Sequence, residues 1–232
     1  MANKDVPSSY SMFANVYSYM GLPLSRNIES ADVVVMGIPY DIGTTGRAGT
    51  RHGPQGVRLA SGNLRWEEKR WPWQFSVMDR LKVIDYGDLE FKPSESTSMI
   101  ETVVEHVGAV HAKGKKTLCF GGDHFVTLPL LRAAHQHHGA MALVHFDAHT
   151  DTYTPEDDGS DNYDHGCMFY HAPKEGLIDP DYSIQVGIRT EYDTQSHLFE
   201  VVDAAAANDL SSADLVAAIK QRVGSMPVYL TF

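Results

Sequence analysis

Ala140-Met141-Ala142-Leu143-Val144-His145-Phe146 runs directly into Asp147-Ala148-His149-Thr150-Asp151. The first part is an apolar run of strand length. The second alternates carboxylate and imidazole donors. In an extended chain, side chains repeat every second residue. Asp147, His149 and Asp151 are therefore expected on one side, at the end of the strand. Two carboxylates and an imidazole held together away from water are costly unless a cation neutralises them. A set of oxygen and nitrogen donors with carboxylates in the majority, and no thiolate, favours Mn²⁺ among first-row metals. The plainer reading is a solvated, Asp-rich turn. A second motif weighs against it. Phe120-Gly121-Gly122-Asp123-His124 also closes an apolar strand and adds His124 to the candidate donors.

On both sides of this stretch, strand and helix signals alternate. Ala31–Pro39, Leu81–Tyr86, Lys116–Phe120, Asp181–Ile188 and Pro227–Phe232 read as strands. Pro54, after Gly53, suits the first turn of a helix through Arg58 and Leu59. Ser98–Lys113 carries a helical stripe of Met99, Ile100, Val103, Val104, Val107 and Val110, closed by Gly114. Phe125–His137 is a helix stopped by Gly139, and Ser211 caps a helix that ends at Gly224. This alternation predicts an α/β fold, with a parallel sheet flanked by helices on both faces. Residues 1–30 read as an N-terminal arm packing on the domain or on a neighbouring subunit, and residues 31–232 as the domain itself.

The 232 residues suffice for one large α/β domain. The net charge of −11 argues against a nucleic-acid partner and suits a small cationic one. The N-terminus has no apolar signal segment, and no apolar run is long enough to span a bilayer. Two cysteines, Cys119 and Cys167, are too few for a disulfide scaffold. They point to a reduced, cytoplasmic protein.

These motifs resemble the ureohydrolase family of binuclear manganese hydrolases, which includes arginase and agmatinase. The resemblance spans nearly the whole chain. It takes in Gly46–Pro54, Gly121–His124, Asp147–Asp151, Asp164-His165-Gly166 and Gly187-Ile188-Arg189. It is strongest toward the bacterial agmatine-cleaving members, through Phe125–Leu131 and Ala172–Pro180. The resemblance implies hydrolysis of agmatine to putrescine and urea by two Mn²⁺ ions, in a homo-oligomer. His124 and Asp151 would hold one ion, His149 the other, and Asp147 would bridge them. His165 falls on the family's proton-shuttle or substrate-contacting histidine. The reference pKa of an imidazole, near 6.5, would let such a group donate a proton to a departing amine. The runners-up are a hydrolase of 4-guanidinobutyrate or formiminoglutamate, and a non-catalytic truncated homologue. The family has a further Asp-x-Asp metal motif after a strand resembling Pro227–Phe232, where this sequence stops. The chain is therefore expected to supply four of the family's six metal ligands, and to be inactive alone.

The neighbouring residues allow plainer roles. Asp123 either supports His124 from behind or caps the next helix. His145 shares the ligand parity but lies deeper in the strand, as a core histidine would. Cys167 sits beside His165, yet adjacent loop residues rarely face each other, so a Cys–His nucleophile is disfavoured. His135, His137 and His138 suit a helix C-terminus. Gly46–Pro54 reads as a tight turn before a helix, and Trp66, Trp71 and Trp73 as packing or subunit contact. Glu156, Asp157, Asp158, Asp161 and Asp164 form an acidic rim. As a set, it is expected to attract a dication such as agmatine and disfavour a carboxylate-bearing substrate.

Overall fold

The computed structural model describes residues 17–66, 69, 71–155 and 163–232. They fall into two compact units. One comprises the described residues up to Ile42 with Gly46–Asp123; the other comprises Gly43–Thr45 with His124–Phe232.

The first unit is built on β1 (Val33–Ile38), α1 (Gly53–Ala60), β2 (Val83–Asp88), α2 (Ser96–His111) and β3 (Lys116–Gly121). Its strands are parallel in the order β2-β1-β3, with Val33 level with Val83 and with Lys116. Val34 and Val35 point to opposite faces of β1, and both are fully buried. This sheet is therefore covered on both sides, as a β-branched run without alternation requires. Helix α2 presents Met99, Val103, Val107 and Val110 as one buried stripe. Pro54 occupies the first turn of α1, where its missing N–H costs nothing.

Arg58 on α1 is buried, and its guanidinium forks onto Asp85, Nε to Oδ2 at 2.8 Å and Nη2 to Oδ1 at 2.9 Å. It also reaches Asp88. The amides of Tyr19 and Gly87 donate to the remaining positions of Asp85, at 2.7 and 2.9 Å. A buried ion pair is tolerated when its other hydrogen-bonding positions are filled in this way. Burial pushes the Asp85 carboxyl up, but Arg58 and the two amides outweigh it, and the group sits below the usual carboxylate range. The Tyr19 amide belongs to the expected arm, whose described part thus bonds to its own unit. Gly122 has φ 21°, and a Cβ there would lie 2.1 Å from Tyr40 O. Only glycine allows this approach, which leads the chain from β3 toward His124.

The second unit contains α3 (Thr127–His138), β4 (Ala142–Phe146), α4 (Met168–Lys174), β5 (Ile184–Ile188), β6 (Glu200–Asp203), α5 (Ala204–Asp209), α6 (Ser212–Val223) and β7 (Val228–Thr231). All its strand pairings are parallel, in the order β6-β5-β4-β7. Ala142, Val144, Ile184, Val186 and Val223 form a core against Leu215, Ile219 and Met226 on the α6 side. On the opposite face, Phe169 of α4 lies against His145 of β4, ring centroids 4.8 Å apart. Helices thus cover both faces of this sheet, in the expected α/β arrangement.

Some elements differ from their expected bounds. The strand over 181–188 begins only at Ile184, because Pro180–Tyr182 forms a 3₁₀ turn in which Asp179 accepts the Asp181 amide. A 3₁₀ turn, His124–Val126, precedes α3, which has no side-chain cap. Helix α6 is capped as expected, Ser211 Oγ accepting the Asp214 amide at 3.2 Å.

Candidate metal centre

Strand β4 ends at Phe146, and residues 147–149 bend rather than continuing the extended alternation. The donors converge by that bend and by a turn at Asp151, which has φ 51°. A left-handed aspartate is uncommon, and where it is held by its surroundings it points to a site. Here the surroundings hold it. Ala148 O accepts from the Arg189 amide at 2.9 Å and from Thr190 Oγ1 at 3.1 Å. Thr150 O accepts from Gln185 Nε2 at 2.7 Å, and Asp151 O from the Phe169 amide at 2.9 Å.

One donor atom each from His124, His145, Asp147 and Asp151 lies within 4.8 Å of the others. His124 Nδ1 lies 2.6 Å from Asp151 Oδ2 and 3.6 Å from Asp147 Oδ2. Its other nitrogen, Nε2, is 2.9 Å from Thr231 Oγ1. One ring nitrogen thus meets the carboxylates while the other is tied to β7, and an outer hydrogen bond of this kind orients a metal-binding imidazole. Asp147 faces two ways. Oδ2 looks toward His124 and, at 3.4 Å, toward His145 Nε2. Oδ1 accepts the His149 amide at 3.0 Å and lies 3.3 Å from His149 Nδ1. Burial alone would raise the Asp147 carboxyl, but His145 and the His149 amide outweigh it and hold it well below the usual range. His149 itself is exposed. It lines the same cavity as His124, Asp147 and Asp151.

His145 was expected as a core histidine, and it is fully buried. It is only half satisfied. Nδ1 is 3.0 Å from Gln185 Nε2, while Nε2 makes no hydrogen bond among the described residues. Burial above all lowers the pKa of this ring. Aromatic walls enclose the cluster. Phe169 lies edge-on to His124 at 5.8 Å and 84°.

A cavity of about 430 Å³ opens onto these groups, with His165, Thr45 and Tyr153 also on its wall. The His165 amide donates to Gly43 O at 3.1 Å. Its Nε2 accepts from the Thr45 amide at 3.2 Å and lies 2.9 Å from Thr45 Oγ1. With Nε2 accepting, the neutral ring carries its proton on Nδ1. Thr45, 120 residues away in sequence, gave no local signal of this contact. Asp164 accepts the Gly166 amide at 2.7 Å and also lines the cavity. The rest of the acidic rim, Glu156, Asp157, Asp158 and Asp161, lies outside the described residues. Burial pushes the Cys167 thiol up to about 11, so it is no nucleophile at neutral pH.

The donors fit a divalent cation: hard oxygens with imidazole, and two carboxylates partly or fully withdrawn from water. Together with the α/β fold, they define a metal-dependent hydrolase, as the comparisons bear out. Residues 31–232 match the Arginase family. The agmatinase of Proteus mirabilis is 55% identical over 224 residues, covering 96% of this chain and 72% of that protein. A structure titled as a hypothetical agmatinase from Burkholderia thailandensis superposes with a TM-score of 0.90 at 42% identity, covering 98% of this chain and 73% of the other. Proclavaminate amidino hydrolase from Streptomyces clavuligerus gives 0.85 at 35% identity, over 95% of this chain and 74% of that one. The chain belongs to the arginase family.

Proposed function

We propose that this site hydrolyses agmatine to putrescine and urea with Mn²⁺ as its metal. The observation that carries this reading is the two-sided setting of Asp147, with Oδ2 toward His124 and Oδ1 toward His149. A carboxylate so placed suits a bridge between two cations. His124 and Asp151 would hold one ion and His149 would serve the other. When bound, such ions would acidify water and offset the negative charge carried by the attacking oxygen. In the overall reaction, water oxygen adds to the guanidinium carbon and the bond from that carbon to the alkyl nitrogen breaks. His165, fixed by Thr45 with its proton on Nδ1, moves a proton to the departing amine.

A dicationic substrate fits the wall. The described residues lining the cavity include acids and histidines but no lysine or arginine. A carboxylate-bearing guanidino compound would lack a partner there. Two free thiols and the absence, among the described residues, of any helix able to cross a membrane suit a reaction in the cytoplasm.

The test is urea release from agmatine, 4-guanidinobutyrate and formiminoglutamate after loading with Mn²⁺. It is run on the chain and on a chimera carrying the remaining segment of the Proteus mirabilis relative. Agmatine is expected to be preferred. A preference for either acid would overturn the substrate assignment, and failure to retain any Mn²⁺ would overturn the metal site.

A further inference from the structure

Behind Asp147, a line of side chains crosses from β4 to β5 and out to the segment before β6. His145 and Gln185 are register partners on adjacent parallel strands, so they share a face of the sheet. Both are fully buried. Gln185 Nε2 is 2.7 Å from Thr150 O and 3.0 Å from His145 Nδ1. Gln185 Oε1 is 2.9 Å from His197 Nε2. His197 is half-buried between the rings of Tyr192 and Phe199, at 4.8 and 5.6 Å.

The chemistry of these atoms leaves one arrangement. Thr150 O is a carbonyl and can only accept, so the Gln185 atom facing it is the amide nitrogen. That nitrogen has two hydrogens. One goes to Thr150 O; the other points at His145 Nδ1, which must therefore present a lone pair. The amide oxygen then faces His197 Nε2, which donates. Neutral or protonated, His197 can fill that role, so the order of donors does not reverse with its charge. With Nδ1 unprotonated, the ring proton of His145 resides on Nε2, which lies 3.4 Å from Asp147 Oδ2.

We propose that Gln185 is a positioning residue that locks His145 as the Nε2–H tautomer, placing its proton on the side of Asp147 and removing it from the set of metal ligands. His145 lies close enough to the buried donors to be mistaken for a ligand. The lock prevents this, because a nitrogen that carries a proton has no lone pair for a cation. It also leaves Asp147 Oδ1 free to turn toward His149. The tautomer follows from the hydrogen-bond network alone; its effect on metal affinity rests on the metal reading above.

Nitrogen-15 NMR of imidazole-labelled protein, stripped of metal by chelation, reads the tautomer directly. His145 is expected to show a pyrrole-type Nε2 and a pyridine-type Nδ1 in the unaltered chain. The reverse pattern would overturn the proposal without any variant being made. Gln185→Glu places a carboxylate where a donor was and is expected to shift His145 to Nδ1–H; an unchanged tautomer would overturn the role of Gln185. Gln185→Met, of similar length and without charge, guards against misfolding of the first variant. By removing the donor to His145, it is expected to weaken Mn²⁺ binding by about ten- to a hundred-fold, the usual consequence of losing an outer partner. Unaltered Mn²⁺ affinity in a folded Gln185→Met chain would overturn the positioning role. If the unaltered chain bound no Mn²⁺, the metal reading would fall, while the tautomer pattern would still decide the lock.

Discussion

Phe169→Ala tests how far the aromatic wall holds the metal centre together. Phe169 is 1% exposed and touches three rings, those of His124, His145 and Phe199. Removing a fully buried phenyl costs about 3–5 kcal/mol, the spread reflecting how well the void collapses. Collapse is restricted here, since the neighbouring rings are tied by hydrogen bonds to Thr231 and Gln185. The ring contacts add about 0.5–1.5 kcal/mol beyond area burial. We therefore work with about 4–6 kcal/mol. For a chain of this size, each kcal/mol shifts Tm by about 2–4 °C, which gives a fall of roughly 8–24 °C. Phe169→Leu keeps much of the volume and should cost only about 1–2 kcal/mol. Calorimetry or circular-dichroism melts in chelator give both values free of metal stabilisation. Mn²⁺ retention after dialysis should fall more in the alanine variant than in the leucine one, because His124 and His145 lose their common wall. A fall below about 3 °C for Phe169→Ala, or equal losses in the two variants, would refute the reasoning.

Asp147→Asn should lose far more bound Mn²⁺ than His165→Asn, because the first faces both candidate ion positions and the second only lines the cavity; metal analysis after dialysis would contradict this by showing equal loss. Thr45→Val removes a hydroxyl 2.9 Å from His165 Nε2, and should lower kcat for agmatine more than it raises KM. A change confined to KM would place His165 in binding rather than proton transfer. Arg58→Met leaves Asp85 buried without its cation and should cost about 3–5 kcal/mol at neutral pH, read as a shift in the urea midpoint. Asp85 has a lowered carboxyl pKa in the fold. Its contribution should be complete above the ordinary value of 3.8 and vanish as pH falls from there through the lowered one. An Asp85→Asn chain should therefore show a shallower acid loss of stability, and an identical acid profile would count against the pair.

Periodicity and composition carried most of the architecture. The Val-rich run of β1, the stripe of α2 and the capped α6 were legible because each announces itself within a dozen residues. Helix α4 was not, since Pro173 interrupts it and the residue before its first turn, Cys167, makes no side-chain cap. The four residues of β6 and the alanines of α5 have no apolar period, and none of α5 is buried. At the site, the donor types were plain from spacing, while the manner of their convergence was not. Alternation predicted an extended Asp147–Asp151; the chain instead bends and turns at Asp151. The contacts that join Gln185 to Thr150 and His145, His124 to Thr231 and His165 to Thr45 span 35 to 120 residues. No local pattern reports contacts of that range.

The backbone at Asp151 has a consequence for how this protein should be probed. With φ at 51°, the position suits asparagine, aspartate or glycine, and penalises other residues by about 1–3 kcal/mol. Alanine scanning would therefore charge two separate losses to one substitution, the carboxylate and the turn. Asparagine isolates the first and glycine relieves the second. At this position the pair Asp151→Asn and Asp151→Gly, rather than Asp151→Ala, gives a difference that can be interpreted.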